Sequence, residues 1–357
     1  GDVLVAAAFV SYIGAFNAKY RNALVNDLWI PDMMERKIPM TEGITPLQML
    51  TDDAEVAVWN GQGLPTDSVS VQNGAIIANC KRWPLLIDPQ LQGIKWIRRK
   101  HLEIVEESKP EDWNEEENGP FQPDPEKAVT KEMKCVQLTQ NKYLNAVELA
   151  ISNGEALMIE NIREDIDAVL DPVLMRATIR RGRSLVIKLG DKEVEYDPRF
   201  MLYIQTKLSN PHYKPEIAAQ TTLINFMITL DGLEEQLLGM VVNKERPDLE
   251  QQKVELMEQQ NGFKLKLKGL EDELLYRLSS SQGDILEDIE LIEGLERAKV
   301  TATEIQEKQV VARETEVVIA NARKAYVPVA VRGALTYFLV DQLWVLEHLY
   351  RFSMANF

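Results

Sequence analysis

Apolar positions recur along this chain in three rhythms, and each rhythm marks a region. Over residues 1–30, Leu4, Ala8, Tyr12 and Phe16 return every four residues, which predicts helix. Pro31, Pro39 and Pro46 then punctuate a loop-rich connection. From about 44 to 230 short apolar runs alternate with helical stretches, the pattern of an α/β layer fold. The predicted strands are 84–87, 135–138, 156–159, 185–189, 200–206 and 222–227. Residues 93–102, 142–151 and 172–181 read as helices, and 182–196 as a β-hairpin turning at Gly190-Asp191.

The third rhythm begins after 245. Leu256, Gln260, Phe263, Leu267, Leu270 and Leu274 alternate in steps of four and three. A turn at 279–284 follows, with Asp284 placed to cap the next helix. That helix carries Leu291, Leu295, Ala298, Ala302, Ile305, Gln309, Ala312, Glu316, Ile319, Arg323 and Tyr326 in the same steps. Two such seams joined by a short turn predict an antiparallel coiled-coil hairpin, with a packed helical bundle as the alternative. At 1.5 Å per residue the longer helix would span on the order of 60 Å, so the hairpin should project. The seam turns polar at Gln309, Glu316 and Arg323, positions that set register, permit sliding or touch the parent domain. Residues 326–357 turn apolar again, and Ala334-Leu335-Thr336-Tyr337-Phe338 resembles Ala8-Phe9-Val10-Ser11-Tyr12 in mixing small and aromatic residues. Each segment reads as the closing helix of a small helical subdomain from which a hairpin has emerged and returned.

Composition narrows the function classes. The 357 residues suffice for two compact domains, or one with a large appendage. Acidic residues outnumber basic ones by 56 to 40, and a net charge of −16 argues against nucleic acid or anionic lipid as partner. Cys80 and Cys135 cannot build a disulfide framework or a zinc site, which suggests a reduced intracellular protein. His101, His212 and His348 lack metal-ligand or nucleophile–base spacing and read as structural. The apolar run from Val3 to Val10 is soon interrupted by Ser11, Asn17 and Lys19, and it lacks the charge and cleavage pattern of a signal peptide. With no initiator methionine, the chain is expected to be a segment of something larger. Residues 105–132 are acidic and proline-rich, so a solvated insertion is expected there, or else a docking loop for a partner.

The most telling chemistry lies in Pro84-Leu85-Leu86-Ile87-Asp88-Pro89-Gln90-Leu91-Gln92-Gly93-Ile94-Lys95. It has the layout of a phosphate-binding loop: an apolar strand, a loop with one glycine, then a helix. In the pattern G-x-x-x-x-G-K-[ST], glycines let backbone N–H groups cradle phosphates, the lysine reaches the outer phosphates and the hydroxyl holds Mg²⁺. Aligned on Gly93, the first glycine becomes Asp88, the lysine Ile94 and the hydroxyl Lys95. Losing the lysine removes a charge-assisted contact worth ~1.5–3 kcal/mol, and Asp88 beside a triphosphate adds repulsion. Lys95 sits one residue late and is expected to point elsewhere. The strand Ala156-Leu157-Met158-Ile159 ends in Glu160-Asn161, where an active ATPase has two acids, and an amide cannot act as general base. Thr206, at the end of the next strand, could position a water but reads by default as a satisfied strand-end threonine. Residues 208–220 contain no arginine, so no arginine finger is expected there, and Lys214 is the nearest cation. Arg176, Arg180, Arg181 and Arg183 read as a solvated helix end or as a contact with an adjoining module. The whole suggests an NTPase-like module that has lost its chemistry. Two alternatives stay open: a weak structural nucleotide between 88–95 and Glu160, and a generic adaptor that dimerises through 246–326.

A longer set of motifs points to one family. It comprises Gly63-Leu64-Pro65-Thr66-Asp67-Ser68, Arg82-Trp83-Pro84-Leu85-Leu86-Ile87-Asp88-Pro89-Gln90, Ile159-Glu160-Asn161, Lys192-Glu193-Val194-Glu195-Tyr196, Thr206-Lys207-Leu208-Ser209-Asn210-Pro211-His212-Tyr213 and Glu245-Arg246-Pro247-Asp248-Leu249-Glu250. With these the chain resembles a dynein heavy chain over essentially all its length, specifically the fifth AAA+ module of the motor ring. The run Thr206 to Tyr213, with Asp88 to Gly93, is similar to the axonemal branch. Thr41-Glu42-Gly43 and Gln259-Gln260-Asn261-Gly262-Phe263 lean toward an outer-arm chain, while the 105–132 stretch is longer than the usual pattern.

The resemblance implies an α/β AAA+ module, with a P-loop NTPase-like large subdomain, a small helical subdomain and a long antiparallel coiled-coil hairpin. Residues 1–40 would close the preceding module's small subdomain and link onward, and 41–245 would be the large subdomain. Residues 246–326 would be the strut, or buttress, and 327–357 would continue a small helical subdomain toward the next module. The resemblance implies no catalytic residue, nucleotide or metal in this module, with ATP or ADP and Mg²⁺ bound in other modules of a microtubule-dependent ATPase. Implied partners are neighbouring AAA+ modules of the same heavy chain, the stalk coiled coil, other dynein chains and, indirectly, the microtubule. The implied location is the cytoskeleton of the cytoplasm, in the axoneme of a cilium or flagellum. Ring movement would reach the microtubule as pulling or sliding of the stalk helices.

Overall fold

The computed structural model describes residues 1–41, 43–105, 129–140, 142–280, 289–347 and 349–350. In chain order the strands are β1 Trp83–Ile87, β2 Glu103–Val105, β3 Val129–Lys131, β4 Lys134–Gln137, β5 Ala156–Glu160, β6 Thr178–Arg181, β7 Ser184–Leu189, β8 Lys192–Glu195, β9 Met201–Thr206 and β10 Thr221–Asn225. The residues fall into two compact units. The first comprises Gly1–Leu50, Gln62–Leu64 and Val69–Met227, and the second Thr51–Gly61, Pro65–Ser68 and the described residues from Ile228 onward.

The first unit is built on a five-stranded sheet in the order β10-β1-β9-β5-β4, with every pairing parallel. A parallel sheet covered on both faces needs near-continuous apolar strands, and these have them. Leu85, Leu86, Leu157, Met158 and Ile204 are all at or below 1% exposure. Trp83 fixes one end of the core, edge-on to Phe200 with ring centroids 5.6 Å apart, and its Nε1 donates to the Val173 carbonyl at 2.8 Å. Because β1 lies between β9 and β10, chain connections diverge at its carboxyl end. In open α/β sheets that switch point is where ligand crevices form.

The N-terminal segment departs from the single predicted helix. Asp2–Tyr12 is helical, a 3₁₀ turn covers Ile13–Ala15, and Asn17 starts a second helix, Ala18–Asn22, by accepting the Tyr20 N–H at 3.2 Å. The break occurs where the chain crosses β10, since a Cβ on Gly14 would lie 2.4 Å from the Leu223 carbonyl oxygen. The chain continues without a break through a π-helical stretch, Ala23–Trp29, into Ile30–Glu35, so Pro31 stands inside a helical run and leaves an upstream carbonyl without its N–H. Arg21, 2% exposed, donates to the carbonyls of Phe16 (2.7 Å) and Gly14 (3.0 Å), to Asn73 Oδ1 (2.7 Å) and to Gln72 Oε1 (3.2 Å).

The predicted helix 172–181 is also corrected. Only Asp171–Leu174 is helical; Arg176 then takes φ 50° and Thr178–Arg181 forms β6. The β-branched pair Thr178-Ile179 lies opposite Ile187 and Val186 of β7. The expected hairpin thus gains a third strand, with turns at Gly182 and Gly190, both at φ 62°. Residues 106–128 of the acidic stretch lie outside the described residues. Its flanks meet as the antiparallel pair β2–β3, with Val105 opposite Val129.

The second unit is helical among the described residues. Asp53–Gly61, Leu230–Glu245 and Val327–Asp341 accompany two long helices, Pro247–Ser280 and Ile289–Arg323. Ala298, Ile305, Ala312 and Ile319 are buried, one every seven residues. Leu256, Phe263, Leu267, Leu270, Leu274 and Ala302 are half-buried. Early residues of the first long helix meet late residues of the second: Glu250 meets Arg323 at 3.4 Å and Gln260 meets Glu316 at 3.3 Å. Leu295, an expected seam residue, is 41% exposed. Ser279 and Ser280 remain helical, while the rest of the expected turn with Asp284, and the Leu291 side chain, lie outside the described residues.

Arg21→Ala should destabilise the first unit by about 2–4 kcal/mol, because buried oxygens lose a charged donor. Denaturant titration of the full chain checks this, and a loss under about 0.5 kcal/mol, the size of an ordinary surface substitution, would contradict it.

Candidate functional site

The strand–loop–helix element runs from β1 through Asp88 and Leu91 into the helix Gln92–Lys100. The Asp88 N–H continues the sheet ladder, donating to the Thr206 carbonyl at 3.0 Å, and Leu91 turns the chain at φ 62°. The Asp88 side chain then folds back onto the helix it precedes. Oδ1 accepts the Gln92 N–H at 2.9 Å and Oδ2 accepts the Ile94 N–H at 3.0 Å, with the residue fully buried. The Leu91 N–H donates to the Asp88 main-chain carbonyl at 3.4 Å. In a working loop the N–H groups at the helix start are the donors that surround phosphate, and the helix N-terminus favours an anion there. Here the anion is part of the chain. Burial pushes the Asp88 pKa above the ordinary carboxylate value, and the N–H groups of Ile94, Gln92, Gly93 and Leu91 pull it back only in part.

Gly93 has a packing role at this place. A Cβ there would lie 2.9 Å from Leu86 Cδ2 and 3.1 Å from the Phe226 ring, so its absence lets the helix lie close on the sheet. Ile94, where the cation would stand, is 5% exposed. Lys95 is exposed.

The other strand ends converge on the same edge of the sheet. Glu160, at the end of β5, is ion-paired with Arg98 of the loop helix. A carboxylate engaged by guanidinium is a poorer ligand for Mg²⁺ than a free one. Asn161 adopts φ 53°, and its N–H donates to Gln205 Oε1 at 2.9 Å. Gln205, fully buried within β9, donates through Nε2 to the Asp88 carbonyl at 2.9 Å. One side-chain amide therefore staples the loop after β1 to the loop after β5. Thr206 Oγ1 donates to the Ile162 carbonyl at 2.8 Å and accepts the Leu208 N–H at 3.1 Å, so its hydroxyl is engaged within the protein.

Asp88, Gly93, Ile94, Glu160, Asn161 and Thr206 are thus gathered at the carboxyl ends of β1, β5 and β9. Gln205 and Arg98 complete the arrangement and were not anticipated. The signals were an amide continuing the apolar run Leu202-Tyr203-Ile204, and an arginine one turn beyond Lys95. The basic cluster is divided: Arg176 lies in the turn just after the helix Asp171–Leu174, Arg180 and Arg181 lie in β6, and Arg183 lies in the turn before β7. Arg176 stacks on the Trp83 ring at 3.6 Å, and Arg181 pairs with Glu193 at 2.7 Å. Lys214 pairs with Asp165 at 3.2 Å. Leu256, Phe263, Leu267, Leu270, Leu274, Ala298, Ala302 and Ile305 lie in the second unit.

Residues 57–305 match the family described as the ATP-binding dynein motor region, and residues 1–33 match the microtubule-binding stalk of the dynein motor. Among curated relatives, the flagellar outer-arm dynein beta chain of Chlamydomonas reinhardtii is 53% identical over 357 residues. The ciliary dynein beta chain of Heliocidaris crassispina is 51% identical over 359 residues, and human dynein axonemal heavy chain 17 is 50% identical over 359. In each case the match covers 100% of this chain and 7% of the relative's length.

Two predictions follow from the loop. Asp88→Asn leaves one buried N–H without an acceptor and should cost about 1–3 kcal/mol. Folded Asp88 holds its proton to higher pH than the unfolded chain, so its contribution is complete below the unfolded value near ~4 and declines as pH rises through the folded value. The stability gap between the wild-type chain and Asp88→Asn should therefore narrow with rising pH in denaturant titrations, and a gap that widens would contradict the assignment. Gly93→Ala should cost about 1–3 kcal/mol through overpacking against Leu86 and Phe226, measured by thermal melting; an unchanged melting temperature would show that the helix has room to move.

Proposed function

The chain belongs to the axonemal dynein heavy chains, and from that premise we propose that it is a non-catalytic module of the motor ring that braces the microtubule-binding stalk. The observation that carries the first half of this reading is the Asp88 carboxylate on the Gln92 and Ile94 N–H groups. Donors that would hold a triphosphate are taken, the cation position holds Ile94, and Glu160 is tied to Arg98. The module is therefore read as binding no nucleotide or metal. ATP or ADP with Mg²⁺ would act in other modules, and their turnover would reach this one as movement.

The bracing half rests on the second unit. We read its two long helices as an antiparallel coiled-coil hairpin, supported by the seven-residue spacing of Ala298, Ile305, Ala312 and Ile319 and by the contacts Glu250–Arg323 and Gln260–Glu316. In this reading 246–326 is the strut and 41–245 the large subdomain. Residues 1–40 close the preceding module, and 327–357 lead toward the next. The match of residues 1–33 to the stalk family supports a position directly after the stalk. Arg21, which ties that segment to Gln72 and Asn73, gives a route by which stalk movement reaches the sheet. The partners are neighbouring ring modules, the stalk, other dynein chains and, through the stalk, the microtubule. The relatives' names are flagellar, ciliary and axonemal, which supports an axonemal place for the parent motor, and the outer-arm name of the Chlamydomonas reinhardtii chain favours the outer arm.

Isothermal titration of the full chain with ATP and Mg²⁺ should give no binding heat, and micromolar affinity would favour a structural nucleotide instead. In the intact motor, Leu270→Gln with Leu274→Gln should loosen the hairpin and uncouple ATP turnover from microtubule affinity. Coupling that survives a demonstrably disrupted hairpin would overturn the bracing role.

A further inference from the structure

The buried series on the second long helix, Ala298, Ile305, Ala312 and Ile319, ends on a charge. Arg323, four residues on, is only 7% exposed. Its Nη1 donates to Glu235 Oε1 at 3.2 Å, and its Nη2 lies 3.4 Å from Glu250 Oε2. Lys253, one turn past Glu250, is also paired with Glu235. Burial pushes the Glu235 pKa up, but Lys253 and Arg323 outweigh it and hold the carboxyl below the ordinary glutamate value. Three helices meet at this guanidinium: Leu230–Glu245 through Glu235, the first turn of Pro247–Ser280 through Glu250, and the last turn of Ile289–Arg323.

Apolar packing alone sets the alignment of these helices poorly. A seam of alanine and isoleucine spaced every seven residues stays apolar after a slide of one repeat, about 10 Å along the axis, although alanine and isoleucine then trade places. The ion cluster does not repeat. The same slide would carry the buried Arg323 away from Glu250 and leave its guanidinium short of a partner, which is destabilising. We propose that Arg323, clamped between Glu235 and Glu250, is the register mark of the two long helices: hydrophobic burial holds them together, and this charge decides where along each other they stop. The inference rests on the hairpin reading given above.

Disulfide trapping in the full chain tests it. Gln260→Cys with Glu316→Cys reports the observed register, since these side chains hydrogen-bond at 3.3 Å. Gln260→Cys with Gln309→Cys reports a slide of one repeat. With Arg323 intact, only the first pair should cross-link. Adding Arg323→Met should keep the helical circular dichroism and raise the second product at least about tenfold, a change equivalent to ~1.4 kcal/mol. A folded Arg323→Met chain that still yields only the first product overturns the proposal. If Arg323→Met fails to fold, Glu250→Gln, which keeps the side chain's size, takes its place and should give the same rise. Failure of both to fold would make the cluster a stability element and refute a register role. Failure of the first pair to cross-link with Arg323 intact would instead overturn the hairpin reading, and this inference with it.

Discussion

A carboxylate held by backbone N–H groups at the start of a helix satisfies two demands at once: orphan donors gain an acceptor, and the helix dipole gains a negative charge. Asp88 meets both from inside the chain. The rest of the site is arranged around that fact. Gln205 can span from the Asp88 carbonyl to the Asn161 N–H because the loop after β1 is drawn in against its own helix. Gly93 lets that helix lie on Leu86 and Phe226, and Ile94 fills the place of a cation with hydrocarbon. The strand–loop–helix architecture of a nucleotide-binding fold is retained, and the Gln92 and Ile94 N–H groups at its helix start carry the Asp88 side chain.

Function as proposed here follows from the contrast between the two units. The first spends its polar groups on itself: Arg21 on carbonyls and amides, Glu160 on Arg98, Thr206 on neighbouring backbone. Such a unit suits the transmission of force better than chemistry, because each of these contacts links separate segments of chain. The second unit concentrates its buried charge where three helices meet, at Arg323. Hydrophobic association there is generic, whereas the ion cluster is specific to one alignment.

Much of this was legible in the residues. The strands of the parallel sheet announced themselves as apolar runs, because a strand buried on both faces has no alternation to hide in. That Asp88 and Ile94 stand where a phosphate loop carries glycine and lysine was legible from the residue types alone. What the carboxylate does instead was not legible, because a fold-back from Asp88 to Ile94 depends on the αL turn at Leu91, a residue with no special preference for it. The same limit explains Thr178–Arg181, whose arginines suit a helix as well as a strand, until Arg176 reverses the backbone and Trp83 takes its guanidinium. The break at Gly14 was hidden because its cause, the carbonyl of Leu223, lies two hundred residues away. Gln205 was passed over because its partners are backbone groups, which no side-chain pattern records.

The central claim is that the loop's N–H donors are already engaged, and backbone amide resonances read this directly. In the ¹⁵N-labelled chain, the Gln92 and Ile94 amides should exchange slowly with solvent and keep their chemical shifts when ATP and Mg²⁺ are added in excess. Movement of those two resonances on adding nucleotide would mean that Asp88 yields its place, and the account of a closed seat would be wrong.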